Sequence, residues 1–471
     1  MTAVKQHELL DCLERAKEKA HDLDKEILVS HRIQVEQIDP LLIYKNNQLN
    51  FKGKRSYWSD SNNRIQMVGL GEMLRLDANG NKRFEEINTK WKTILENSID
   101  YSETMKYIPG TGPLLLGGFS FDPLKDRTPL WMNFPDASFV LPSHLYTITN
   151  QAAYLTQNIL VDAETDLIHI FNRIMNQQAE VLSSQIEEGY PTNSPLVFDL
   201  TEINQNNWKQ TVRETTALIN KGKIDKVVLA REVVVNASEA IPIYETLFNL
   251  REKQTQSFIF AIERGEHCFI GASPERLVQK QNGEFLSTCL AGSIRRGEDI
   301  KEDEQLGNEL LSDPKNREEH AFVVQMIREA FEKVASSVQV PTEPSLYKGR
   351  DIQHLYTPVI VKKAKQVPLF EVVKELHPTP ALGGFPQRES VDVIRKNERL
   401  DRGWYSAPIG WVDYLDQGEF AVGIRSALVS DNHASLFAGC GIVADSDPEN
   451  EYEETKIKLR PMLHALGGAQ T

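Results

Sequence analysis

Residues 398–458 read ERLDRGWYSAPIGWVDYLDQGEFAVGIRSALVSDNHASLFAGCGIVADSDPENEYEETKIK, and three signals follow one another inside them. Residues 409–413 and 419–429 read as strands joined by a turn at Asp416-Gln417-Gly418. A second turn at Asp431-Asn432-His433 leads into 434–439, so the stretch predicts an antiparallel meander of three strands. On the middle strand, period two puts Phe420, Val422, Ile424 and Leu428 on one face and Ala421, Gly423, Arg425 and Ala427 on the other. A bulky apolar face backed by small residues and one arginine predicts core on one side and a ligand cavity on the other. Beyond the meander, Gly439 and Gly441 flank Cys440 and let a ligand approach bare backbone. Asp447-Pro448 then marks a helix start, and Glu451, Glu454 and Lys458 recur along one side of that helix at spacings of three and four. Arginine, lysine, open backbone and paired carboxylates in so short a stretch suit an anionic small molecule held with a divalent metal.

Outward from this stretch, 471 residues allow one large domain or two to three ordinary ones. Hydrophobic residues make up 40% and charged residues 25%, the composition of a globular enzyme. A formal net charge of -14 argues against nucleic acid as a partner, so an anionic ligand needs a local basic pocket or a metal. Cys12, Cys268, Cys289 and Cys440 form no CxxC pair and no zinc spacing, which predicts reduced thiols in a cytoplasm. No apolar run approaches membrane-spanning length and the N-terminus lacks a signal-peptide pattern, so no membrane association is expected. No obvious interface helix stands out, and the expectation is a monomer.

Residues 4–23 read as an amphipathic helix. Strands are expected over 26–36, 64–70, 72–76, 114–121, 131–142 and 145–155, a hairpin through Asn46-Asn47 over 40–51, and helices over 85–100 and 162–188. Residues 191–199 read as a loop holding a short extended piece, and they divide the chain into an N-terminal half, 1–200, and a catalytic half, 201–471. The second half opens with a helix over 208–221 and a strand over 224–236. Hairpins follow over Arg264-Gly265-Glu266 and over Asn282-Gly283, with a long helix after Asp313-Pro314. Strands outnumber helices and meet through short hairpins. The class is therefore α+β, with large antiparallel sheets flanked by helices.

In the long helix, Val323, Met326, Ile327, Ala330 and Val334 define an apolar stripe, and Glu319, four residues before Val323, is expected on that inward face. A buried carboxylate needs a partner or a metal. Glu454 lies on the second helix that opens with Ser-Asp-Pro. Two inward glutamates without a histidine or cysteine cluster favour a hard ion with oxygen ligands, and magnesium keeping several waters fits. The alternative is that these glutamates form ordinary ion pairs with Arg425 or Lys458. Lys226 reads either as a strand-end lysine reaching solvent or as a desolvated general base. Glu275, after Gly271-Ala-Ser-Pro274, reads as a cap or a solvated turn residue. His354 shares a strand face with Ile352 and Tyr356, which leaves a core histidine and a ligand-binding one equally open.

Nine motifs then fall in order: Lys226-Val-Val-Leu-Ala-Arg231, Gly271-Ala-Ser-Pro-Glu-Arg276, Leu290-Ala-Gly-Ser293, Lys315-Asn-Arg-Glu-Glu-His320, His354-Leu-Tyr-Thr357, Leu376-His-Pro-Thr-Pro-Ala-Leu-Gly-Gly-Phe-Pro386, Gly423-Ile-Arg425, Ala438-Gly-Cys-Gly-Ile-Val443 and Glu451-Tyr-Glu-Glu-Thr455. Together, over about residues 205–465, they resemble the chorismate-utilising enzymes. These include isochorismate, salicylate, anthranilate and aminodeoxychorismate synthases. Tyr57-Trp-Ser-Asp60 and Gly117-Gly-Phe-Ser-Phe121 look like the less distinctive first half of the same single fold.

The resemblance implies chorismate as substrate and Mg2+ as cofactor. Glu319 and Glu454 would hold the ion, with Glu451 and Asn316 ordering its waters. Arg425, Lys458 and the backbone near Gly439 and Gly441 would hold the side-chain carboxylate. Ala291, Gly292, His354, Thr357, Ala381, Leu382, Tyr405 and Ile424 would complete the substrate site. Ammonia-using relatives typically carry glutamine in place of Lys226, and aminodeoxychorismate synthases a lysine in place of Ala291. The resemblance therefore points to water as nucleophile, to an isochorismate synthase and to no glutaminase subunit. The form expected is that of the menaquinone pathway, with the siderophore pathway as the other outlet. Lys226 would deprotonate water and Glu275 protonate the leaving hydroxyl, which needs Lys226 partly neutral and Glu275 protonated. Rival readings are a salicylate synthase that also eliminates pyruvate, an anthranilate synthase component I, and a non-catalytic chorismate-binding subunit. Cys440 departs from the family, whose members usually have alanine there.

Overall fold

The computed structural model describes residues 3–99, 106–183, 196–335, 337–349, 352–362 and 364–467. Among them, two antiparallel sheets lie face to face, one of twelve strands and one of ten. Hydrophobic alternation explains the layering. In Phe258–Arg264, Phe258, Phe260 and Ile262 point into a core between the sheets, while Ile259 and Ala261 point out to a second core under helices. The inner core is aromatic: Trp58, Trp131, Phe134, Phe258, Phe269, Trp404 and Trp411 are all buried in it. Each such side chain stabilises the fold by about 1.5–3 kcal/mol. The outer face of the larger sheet packs on helices Pro40–Asn46, Ile243–Lys253 and Pro448–Ala465, that of the smaller sheet on Arg83–Glu96, Pro314–Glu332 and Leu369–Leu376. The expected α+β class with large flanked sheets is the observed one.

The stretch 398–458 folds differently from a three-strand meander. Its middle strand is two strands, Gly418–Val422 and Ser426–Ser430, and they belong to different sheets. The break falls at Gly423-Ile424-Arg425, where Arg425 takes a φ of 51°. The single period-two face therefore does not exist: Phe420 and Val422 face the helices of the smaller sheet, whereas Leu428 enters the inter-sheet core. A parallel switch occurs at Pro274-Glu275, between His267–Ser273 in the larger sheet and Arg276–Gln281 in the smaller. The two crossings lie side by side: Gly271 pairs with Ser426, Arg276 with Ala421, and Ala272 N–H donates to the Arg425 carbonyl at 3.1 Å.

Other local expectations are corrected. Residues 40–51 are two short helices, Pro40–Asn46 and Gln48–Phe51, because Asp39 caps the first by accepting from Leu41 N–H and Pro40 opens it. Residues 145–155 are two arms of a hairpin, His144–Thr149 and Ala153–Val161. The strand expected over 131–142 covers Ala137–Leu141. The helix expected over 162–188 covers Leu167–Leu182, and 184–188 lie outside the described residues. So do Asp100, at the end of the expected 85–100 helix, and 191–195 of the expected boundary loop. Strand Phe198–Glu202 spans the 200/201 division, and residues of both halves contribute strands to both sheets.

Candidate active site

The two sheet crossings, two helices and one strand end come together at one place. Strand Lys226–Ala237 runs antiparallel to His433–Ile442, with Val228 opposite Gly441 and Ala230 opposite Gly439. Its first residue, Lys226, lies across the bare backbone of Gly441: a Cβ there would come 2.7 Å from Lys226 Cε. The lysine amine, on a side chain 19% exposed, ends 3.1 Å from Glu319 Oε1. The strand is fixed from behind by Glu398. This carboxylate accepts from Ala230 N–H at 2.7 Å and from Arg402, whose guanidinium also donates to the Val228 carbonyl.

Glu275 sits at one crossing. Burial pushes its carboxyl up to about 7, against the pull of Arg425, Lys226 and Thr379. A carboxyl in that state donates a proton near neutrality. Arg425 sits at the other crossing. Burial lowers the pKa of its guanidinium, and the nearby charges of Glu275 and Glu454 oppose that shift. Among the described residues no side chain is hydrogen-bonded or ion-paired to it, so its planar fork remains available to a carboxylate ligand. Lys458 Nζ donates to the Gly439 carbonyl at 2.9 Å, and the Tyr405 hydroxyl lies 3.3 Å from where a Gly439 Cβ would stand.

Glu319 is not on the buried stripe. Its side chain is 48% exposed, and His320 takes the inward position with Val323, Ile327, Ala330 and Phe331. Glu319 sits on the shoulder of the stripe and opens toward Lys226. Glu454 is likewise 50% exposed and pairs with Lys458 at 2.6 Å. The expectation of two buried glutamates is therefore corrected, and the ion-pair alternative describes Glu454. Glu451 Oε1 accepts from Ser446 Oγ at 2.7 Å. Among the described residues no three acidic, histidine or cysteine side chains converge as a metal cage. Glu319 and Glu454 are half-exposed oxygen donors, each beside a lysine. That donor chemistry fits a hard divalent ion that keeps much of its water.

His354 and Thr357 fall on opposite strand faces. His354 Nδ1 is 2.6 Å from Ser293 Oγ, and burial together with the charge of Arg425 lowers its pKa. Thr357 is 3% exposed and its hydroxyl meets His320 Nε2 at 2.7 Å, so it supports the cleft from beneath. Ala291 and Gly292 lie at an irregularity in the neighbouring strand, and Leu382 is buried with its carbonyl accepting from Arg402. Ala381 and Ile424 are half-buried. Thr379, Cys289 and His320 each stand in or beside one of the nine motifs, and the fold brings them to the site: Thr379 stands beside Glu275, and His320 contacts both Cys289 and the Ala291 carbonyl. Burial pushes the Cys289 thiol up.

Over residues 12–467 the chain matches the family model described as "Chorismate binding enzyme". It is 40% identical over 464 residues to isochorismate synthase MenF of Bacillus subtilis, covering 98% of this chain and 97% of that protein. It is 34% identical to the salicylate biosynthesis isochorismate synthase of Pseudomonas aeruginosa, covering 98% and 95%. The structure of MenF, the menaquinone-specific isochorismate synthase of Escherichia coli, superposes with a TM-score of 0.78 at 25% identity, covering 96% of this chain and all (100%) of that one. With kinship along nearly its whole length, the chain belongs to the chorismate-binding enzyme family.

Proposed function

We propose that the protein is a magnesium-dependent isochorismate synthase that takes chorismate to isochorismate. The observation that supports this reading is the nearness of Lys226 to Glu275: the lysine's charge reaches a carboxyl that burial holds near 7, and Ala291 offers no competing nucleophile. The Arg425 fork and Lys458 bind the side-chain carboxylate of chorismate beside the Gly439 and Gly441 backbone. Lys226 takes a proton from water as the oxygen attacks ring C2. Both ring double bonds shift, the C4–O bond breaks, and Glu275 gives its proton to the departing hydroxyl, which leaves as water. One water enters and one leaves, with no net redox change. Glu319 and Glu454 would hold Mg2+, which when bound neutralises the ring carboxylate.

No glutaminase partner is required, since Lys226 favours water over ammonia. A monomer in a cytoplasm remains the proposal, and among the described residues no helix is long and apolar enough to cross a membrane. The product would serve menaquinone synthesis, by likeness to the MenF relatives. Turnover in oxygen-18 water tests the chemistry. Label in the C2 hydroxyl of isochorismate is expected, and unlabelled product would contradict attack by water.

A further inference from the structure

One buried side chain beside the cleft has no part in that chemistry. His320, 3% exposed, follows Glu319 on helix Pro314–Glu332 and is held from two strands. Its Nδ1 lies 3.0 Å from the Ala291 carbonyl oxygen and 3.5 Å from Cys289 Sγ; its Nε2 lies 2.7 Å from Thr357 Oγ1. A carbonyl only accepts, so the Ala291 contact puts the proton on Nδ1. Nε2 is then an acceptor, and the Thr357 hydroxyl donates to it. One neutral tautomer satisfies both contacts.

The two strands meet irregularly at this point. Cys289 pairs with Thr357 and Ala291 with Leu355, but Ser293 pairs with His354, leaving Gly292 as an extra residue with φ +76°. Such a bulge bends a strand and re-aims its side chains. Here it turns Ser293 onto His354. The helix grips the bulge at two places one turn apart. Asn316 packs against Gly292, where a Cβ would come within 3.2 Å of Asn316 Cβ and Oδ1, and His320 bonds the Ala291 carbonyl.

We infer that His320 is a positioning residue: it sets the Ala291-Gly292 bulge, bordering the substrate space, at a fixed distance from Glu319 on the same helix. This rests on the isochorismate synthase reading. Without the imidazole, strand and helix slide against each other, and the substrate ring and the Glu319 carboxylate lose their mutual placement. A displacement of order 1 Å is enough to lower a rate about 100-fold.

The test uses the full chain with His320→Leu, His320→Asn, Thr357→Val and the Asn/Val double variant. His320→Leu is expected to lower kcat about 100-fold while KM for chorismate stays within about threefold, because Arg425 and Lys458 are untouched. Asparagine keeps a donor near the Nδ1 position and lacks the Nε2 acceptor. His320→Asn and Thr357→Val therefore break the same bond, and the double variant should be no slower than the slower single. Thermal melting records the folded fraction in each case. Wild-type kcat in His320→Leu, single effects that multiply in the double, or a rate loss that merely follows unfolding would each overturn the assignment. A wild-type protein that forms no isochorismate overturns the reaction and the clamp together, whereas an active wild type with an equally active His320→Leu overturns the clamp alone.

Discussion

Lys226 Nζ stands 3.1 Å from Glu319 Oε1, joining the first residue of a strand in the larger sheet to a helix packed on the smaller one. The candidate base and the candidate metal carboxylate thus face each other at hydrogen-bond distance. Glu275 stands near enough for the charge of Lys226 to hold its pKa below where burial alone would take it.

Lys226→Ala and Glu275→Gln are each expected to lower kcat by about 10²–10⁴-fold, the range of general acid–base catalysis. Neither side chain belongs to a hydrophobic core, so both variants should fold and melt in a single transition. Steady-state turnover with a melting curve checks this. Near-wild-type turnover in either variant contradicts the acid/base roles.

The raised pKa of Glu275 fixes a direction for pH effects. The folded chain binds this proton more tightly than the unfolded chain. The stability it contributes is therefore present below about 4.5 and lost as pH rises through about 7. Glu275→Gln should flatten that fall, so the melting-temperature gap between variant and wild type should widen in favour of the variant from pH 4.5 to 7. In activity, the kcat/KM profile should bend near pH 7, where the free enzyme loses its acid. A profile with no bend near 7 contradicts Glu275 as proton donor.

Complete chelation should stop turnover, and added Mg2+ should restore it. Glu319→Gln should also weaken Mg2+ binding measured by calorimetry without turnover, since it removes one anionic oxygen ligand. Activity that persists after full chelation would sink the metal role.

Gly441→Ala asks whether the bare backbone under Lys226 matters. The new methyl would meet Lys226 Cε at 2.7 Å, and the flexible end of the lysine can move aside, so folding should survive. The displaced amine should lower kcat about 100-fold with little change in Tm. Unchanged kcat would show that the amine position is not critical.

Glu398 offers a stability test. Its carboxylate, 3% exposed, serves Arg402 and the Ala230 N–H, so Glu398→Ala leaves a buried guanidinium unpaired and should cost about 3–5 kcal/mol in denaturant unfolding. A loss within about 0.5 kcal/mol, typical of a surface change, would contradict a structural role.

The fold class and the ordered motifs were legible because hairpin turns and alternation are local signals. What escaped depends on tertiary context. Asn46-Asn47 reads as a turn, but the cap at Asp39 makes the preceding residues a helix. Residues 419–429 read as one strand because nothing local announces a change of sheet; only the positive φ at Arg425 marks it. That same switch carries Arg425 to the cleft, so the arginine was found for a reason its flat-strand placement did not contain. The spacing of Glu319 from Val323 reads as inward, yet at 3.6 residues per turn Ile327 and Phe331 draw the centre of the stripe toward His320, about 35° away, and leave Glu319 about 65° away on its shoulder.

The account stands most directly on what the protein makes. Purified protein incubated with chorismate and Mg2+, with products resolved by chromatography, should consume chorismate and yield isochorismate without salicylate or free pyruvate. Salicylate with pyruvate, anthranilate on adding ammonia, or no consumption at all would contradict it.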